Sequence, residues 1–121
     1  MVYRLDSETR GWVVLVFNRP EAPPLPMQDG RLIVDVPRSG VASTSTKSPV
    51  GYGQDSFRIR YPDGRESLLP RDSIRANHVG TSTWGDGKPM EHEMFFLGTR
   101  AELEAAEKQD DVLSRVRSML P

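Results

Sequence analysis

His78 and His92 are the only histidines of the chain, and His92 stands between Glu91 and Glu93 with Asp86 nearby, a set of imidazole and carboxylate donors of the kind that hold divalent metals. The spacing argues against such a site. In a strand Glu91 and Glu93 share one face while His92 points to the other, so the three read as solvated side chains and no metal is expected. Ser73 and His78 are close enough in sequence to suggest a nucleophile and its base, but no G-x-S-x-G elbow presents the hydroxyl. From Gly80 to Lys88 the chain has a superficial likeness to a phosphate loop. Counting back from Lys88 puts Ser82 where the first glycine belongs, and Pro89 stands where the hydroxyl belongs. No catalytic residue and no cofactor are expected.

Residues suited to holding a partner are easier to find. Tyr52 lies between Gly51 and Gly53, and Trp84 precedes Gly85-Asp86-Gly87, so each places a large ring on a glycine-rich loop where it can anchor a ligand or stack on a sugar. Buried structural roles compete with both. Arg58 and Arg60 alternate outward on one strand, and with Arg65, Arg71 and Arg75 they could make a basic strip, although Asp63, Glu66 and Asp72 interleave and favour a mixed, solvated face. Thr44, within Ser43 to Thr46, sits on a strand polar enough to be an edge with unpaired backbone groups. Pro23-x-x-Pro26 has the spacing read by adaptor grooves, but it is better explained as a rigid crossover packed on a sheet. The partner-binding candidates are therefore Trp84, Asp86, Tyr52, Arg58, Arg60 and Thr44.

The elements that must position these residues are mostly strands. Gly11-Trp12-Val13-Val14-Leu15-Val16-Phe17 is apolar on both alternating faces, which predicts a central strand covered on each side. Asn18 to Gly30, with Pro20, Pro23, Pro24 and Pro26, reads as an extended connection outside any sheet. Strands are expected at Arg31–Val36, Val41–Thr46, Phe57–Tyr61, Glu66–Leu69, Val79–Trp84 and Met90–Leu97, with a hairpin turning at Pro62-Asp63-Gly64. Arg71 to Asn77 reads as irregular or a single helical turn. Thr99-Arg100-Ala101-Glu102 is a capping box, and a helical segment over 99–120 follows, which Gln109-Asp110-Asp111 could split in two.

Composition sets the outer bounds. The 121 residues suit one domain, a β-rich body over 1–98 followed by the helical segment. Sixteen basic against 17 acidic side chains leave a net charge of -1, which makes nucleic acid and anionic membrane poor partners. Without cysteine there is no disulfide framework and no thiolate chemistry. The apolar run from Trp12 to Phe17 is far short of the ~20 residues that cross a bilayer. Met1 to Asp6 lacks a leader's apolar stretch, so the location is cytoplasmic unless a leader has been removed, in which case it is the periplasm or cell envelope.

Gly11-Trp12-Val13-Val14, Pro23-Pro24-Leu25, Asp29-Gly30, Val36-Pro37, Ser39-Gly40-Val41, Thr44 and the close Phe95-Phe96-Leu97-Gly98-Thr99 together resemble an uncharacterised bacterial family of small exported proteins and candidate lipoproteins. That resemblance implies a compact β domain and the cell envelope, and it carries no functional residues across. The expected architecture is mainly β, an antiparallel sandwich or curved sheet of about six or seven strands with a C-terminal helix. The expected function is a non-enzymatic binding or accessory domain of the envelope acting through protein contacts. An immunity or inhibitor protein that blocks a toxin is the alternative, and a hydrolase with dispersed carboxylates ranks last.

Overall fold

In a computed structural model of the chain, residues 1–47, 55–83 and 89–109 are described. The strands are β1 (Val2–Asp6), β2 (Gly11–Val16), β3 (Met27–Gln28), β4 (Arg31–Val36), β5 (Val41–Ser43), β6 (Ser56–Arg60), β7 (Glu66–Leu68), β8 (Ile74–Thr83) and β9 (Pro89–Leu97), followed by the helix α1 (Arg100–Gln109). They form a five-stranded sheet in the order β3-β4-β1-β6-β7 and a four-stranded sheet in the order β5-β2-β9-β8. This is the expected mainly β layering with a C-terminal helix.

The apolar run of β2 behaves as its pattern requires. Val13, Leu15 and Phe17 enter the core between the sheets with Tyr3, Leu5, Val34, Phe57 and Phe95. Trp12, Val14 and Val16 face the other way, with Met90, Met94 and Phe96, and are covered by Leu103 and Ala106 of α1. Each face of the strand therefore has its own apolar partner layer. Trp12 and Phe96 are register partners across β2 and β9, and their rings meet edge to face at 5.2 Å.

Three of the seven ladders among the described residues are parallel: β1 with β4, β1 with β6, and β2 with β5. They arise along a path that alternates between the layers: β1 in the first sheet, β2 in the second, β3 and β4 in the first, β5 in the second. After these crossings β4 runs parallel to β1, and β5 parallel to β2. The segment Met1 to Asp6, marked in the sequence only by its lack of a leader's apolar run, is the middle strand of the larger sheet. Its Tyr3 and Leu5 are wholly buried, while Arg4 and Asp6 alternate outward.

Local departures from expectation have local reasons. Met27 and Gln28, at the end of the proline-rich connection, pair with β4 around a turn at Asp29-Gly30 in which both residues take positive φ, 51° and 75°. The region 71–77 becomes a 3-10 turn at Arg71–Ser73 and then the start of β8. Ala76 takes a φ of 52°, and pairing with β9 slips between Arg75 and His78 before resuming. That irregularity hides the strand's alternation in the sequence.

Gly40 is where β5 is held against β2. Its φ is +82°, its carbonyl accepts the Val14 amide at 2.8 Å, and a Cβ placed on it would lie 2.5 Å from the Trp12 carbonyl oxygen. Gly30 shares the sign of φ but has open space around it. Gly40→Ala is therefore expected to cost about 3 kcal/mol or more through backbone displacement, and Gly30→Ala about 1 kcal/mol from conformation alone. Denaturant unfolding of the two variants side by side checks this, and equal losses would contradict it.

Candidate functional site

At the end of the sandwich where β1 leaves for β2, the two sheets are not sealed, and a cleft of about 640 Å³ opens between them. Its floor is apolar: Ile59 from the end of β6, Leu69 beyond β7, and Leu97, the last residue of β9. Arg10 from the β1–β2 connection, Arg75 from β8, and Asp72 and Ser73 from the 3-10 turn line its walls, with Thr99 and Glu102 at the start of α1. The volume lies within the range of small-ligand and peptide-end pockets, roughly 300–1,000 Å³.

Two guanidinium groups dominate the electrostatics. Arg10 Nη1 donates to the Ser7 and Thr9 carbonyl oxygens at 3.3 and 2.7 Å, and Arg75 Nε donates to the Gly98 carbonyl oxygen at 3.0 Å. The remaining donors of both groups have no partner among the described residues. Glu102, by contrast, is committed. Its Oε1 accepts the Thr99 amide at 3.0 Å, while Thr99 Oγ1 accepts the Glu102 amide at 3.1 Å, the capping box expected from the sequence. Those bonds to Thr99 hold the Glu102 carboxyl below the usual range, with the charge of Arg10 a smaller contribution. Asp72 is exposed at the rim and remains open to a donor.

Arg58 and Arg60 point outward from β6, as their alternation requires. Arg60 lies beside a smaller cleft of about 330 Å³ with Arg4, Asp6 and Asp35. Its Nη2 stands 3.4 Å from Asp35, and Arg4 Nη2 donates to the same carboxylate at 2.8 Å. Around this cleft the charge is mixed through Asp35 and Asp6, not through the Asp63, Glu66 and Asp72 expected from the sequence. Arg58 sits across the ladder from Arg4. Tyr52, Trp84 and Asp86 lie outside the described residues.

β5 stands at the edge of its sheet, as expected, but the expectation of unpaired backbone groups at Thr44, just beyond it, is corrected. Thr44 is completely buried, its amide donates to the Val16 carbonyl at 2.9 Å, and its carbonyl accepts the Arg19 amide at 2.9 Å. Its Oγ1 donates to the Pro23 carbonyl at 2.9 Å and accepts the Thr46 amide at 3.1 Å. Arg19 and Pro23 of the connection after β2 thus take up groups of Thr44 and Ser45, which protects this end of the β edge.

The Glu91-His92-Glu93 triplet is also corrected. Alternation does separate His92 from its neighbours, but His92 and Glu93 are 3% and 4% exposed, not solvated. The His92 ring packs over Gly80, where no side chain competes for the space. Glu93 points into the core between the sheets and accepts a hydrogen bond from the Tyr3 hydroxyl. The sequence signal for this is weak: only the apolar run Met94 to Leu97 that follows the triplet hints at a strand covered on both faces. Arg10 and Arg75 carry no comparable signal, because their position depends on a turn and on the irregularity in β8. Among the described residues, no group of three or more His, Asp and Glu side chains converges as a metal site, and no helix is long and apolar enough to cross a membrane.

A family of unknown function, DUF6843, matches residues 2–106. The chain belongs to this family. Its fold is similar to that of a crystallised "Putative Lipoprotein from Bacillus anthracis", with a TM-score of 0.74 and 19% sequence identity over 97% of this chain and 93% of that one. At that identity the likeness establishes the shared architecture. No curated protein matches this DUF6843 chain.

The burial of Thr44 yields a test. Thr44→Val removes one hydrogen bond to Pro23 and leaves the Thr46 amide without its acceptor, so a stability loss of about 1–3 kcal/mol is expected in denaturant unfolding. An unchanged midpoint would mean that the proline-rich connection is not held here.

Proposed function

We propose that this chain is a single-domain, non-enzymatic accessory protein of the bacterial cell envelope that binds a segment of another protein in its end cleft. The observation that carries the reading is the pair of incompletely used guanidinium groups, Arg10 and Arg75, above the apolar floor of Ile59, Leu69 and Leu97. Lining groups of both signs favour a polypeptide over a simple anion. A peptide brings acidic or carbonyl acceptors for the arginines, amide donors for Asp72, and apolar side chains for the floor. The envelope location draws support from the Bacillus neighbour's lipoprotein name and from the resemblance to exported proteins.

The hydrolase reading receives little support. The buried carboxylate Glu93 is hydrogen-bonded by Tyr3, and neither of the two clefts includes it in its lining. A catalytic acid must reach a substrate. The immunity reading has no observation of its own beyond those that serve any binding domain.

The test uses cross-linking in intact envelopes to recover a partner, followed by calorimetric titration against the purified chain. Arg10→Ala and Arg75→Gln are each expected to weaken binding about tenfold or more, from the loss of charge-assisted hydrogen bonds worth roughly 1.5–3 kcal/mol. Arg58→Ala on the outer sheet face should leave the affinity unchanged. If Arg58→Ala weakens binding while both cleft variants bind normally, the partner engages the outer face and the cleft reading is wrong. Circular dichroism of each variant separates lost binding from lost fold.

A further inference from the structure

We propose that the buried carboxyl of Glu93, met by Tyr3 from the opposite sheet, is a proton-dependent clamp between the two sheets, closed while Glu93 holds its proton and weakened when that proton leaves. Glu93 belongs to β9 of the four-stranded sheet, while Tyr3 on β1 and Asp55, directly ahead of β6, belong to the five-stranded side. The Tyr3–Glu93 contact therefore bridges the layers. Tyr3 Oη donates to Glu93 Oε1, and Glu93 is 4% exposed. A carboxylate withdrawn from water to that degree favours its neutral form, and the negative charge of Asp55 opposes its ionisation further.

The surroundings decide which form is held. Leu15, which is buried, and Val79, which is exposed, are the register partners of Glu93 on either side, and neither carries a compensating charge. Tyr3 is enclosed by Phe57, stacked at 5.5 Å, and Phe95, edge-on at 5.2 Å. The Met1 nitrogen stands 3.3 Å from Asp55 Oδ1. Glu91 lies two positions along β9 on the same face and is half-buried, whereas His92 is on the opposite face. Glu93, 4% exposed, is thus the carboxyl that burial holds protonated.

Burial, reinforced by Asp55, raises the Glu93 pKa from 4.5 to about 8, against the opposing effects of the Tyr3 hydrogen bond and the Met1 amine. Tyr3 is itself raised well above the ordinary phenol value by burial and by Glu93, so it remains a donor throughout. The sign follows. Below pH 4.5 the folded and unfolded chains both hold the Glu93 proton, and the stabilising contribution is fully present. Between 4.5 and about 8 only the folded chain holds it, so stability falls as pH rises, and the loss is complete once the folded group has titrated. This clamp is independent of what the cleft binds.

The experiment compares thermal and denaturant unfolding of the intact chain with that of Glu93→Gln between pH 5 and pH 9. Gln keeps the acceptor for Tyr3 and gives Asp55 an amide donor, imitating the protonated acid. The unfolding constant of the wild type should rise relative to Glu93→Gln by about tenfold per pH unit in the middle of that window, the linkage of one proton. Parallel pH profiles for the two proteins would overturn the proposal. Should Glu93→Gln fail to fold, the protonated-carboxyl stretch in infrared spectra of the wild type, assigned by isotope labelling of glutamate, gives the decision. A signal that persists at neutral pH and vanishes in the alkaline range supports the clamp, and its absence at neutral pH refutes it.

Discussion

A strand that is apolar on both faces cannot lie at the surface of a small protein, and the covering of β2 is the constraint from which the remaining architecture follows. One face, Val13, Leu15 and Phe17, needs a second sheet, and the other, Trp12, Val14 and Val16, needs a further layer. The chain supplies the first by crossing repeatedly between layers and the second by ending its strands in α1. Burying a side chain of this kind is worth roughly 1.5–3 kcal/mol, so exposing either row of β2 would remove a large part of the modest stability available to a domain of this size. The parallel ladders arise along that crossing path.

The legible parts of the fold were those governed by short-range rules. Two-sided hydrophobicity identified β2, strict alternation identified β6, turn chemistry at Pro62-Asp63-Gly64 identified the β6–β7 hairpin, and the Thr99–Glu102 spacing identified the start of α1. Strand direction was not legible, since whether a turn keeps the chain in one sheet or sends it to the other depends on which surface is already covered. β1 escaped for a related reason. Tyr3 and Leu5 alternate with Arg4 and Asp6, but five residues at the start of a chain are a weak signal until β4 and β6 flank them.

Side-chain exposure was the least legible property, and Thr44 and Glu93 show why. Thr44 is polar and β-branched, a composition equally suited to an open edge and to one whose groups are consumed by a covering segment; its hydroxyl bond to Pro23 reaches back 21 residues. Glu93 looks like half of a solvated pair when read with Glu91. Its burial depends on Tyr3, a residue 90 positions away, meeting it between the sheets. In both cases a long-range hydrogen bond offsets the cost of removing a polar group from water, and sequence spacing carries no record of such bonds.

The position of the candidate site follows from the same covering of β2. Because α1 must lie on the outer face of the four-stranded sheet, the chain cannot continue past Leu97 along the seam between the layers and turns away at Gly98 and Thr99. That turn leaves an opening beside the buried Leu97 at one end of the core, with Ile59 and Leu69 beside it from the other sheet. The opening is rimmed by whatever connections are nearest, the β1–β2 loop and the 3-10 turn, and these bring Arg10, Asp72 and Ser73. Arg75 joins them from β8, tied to the Gly98 carbonyl at the turn that made the opening. Irregular connections on a rigid two-layer frame are where a binding site is free to take its chemistry, and here the frame's closing helix determines which end remains open.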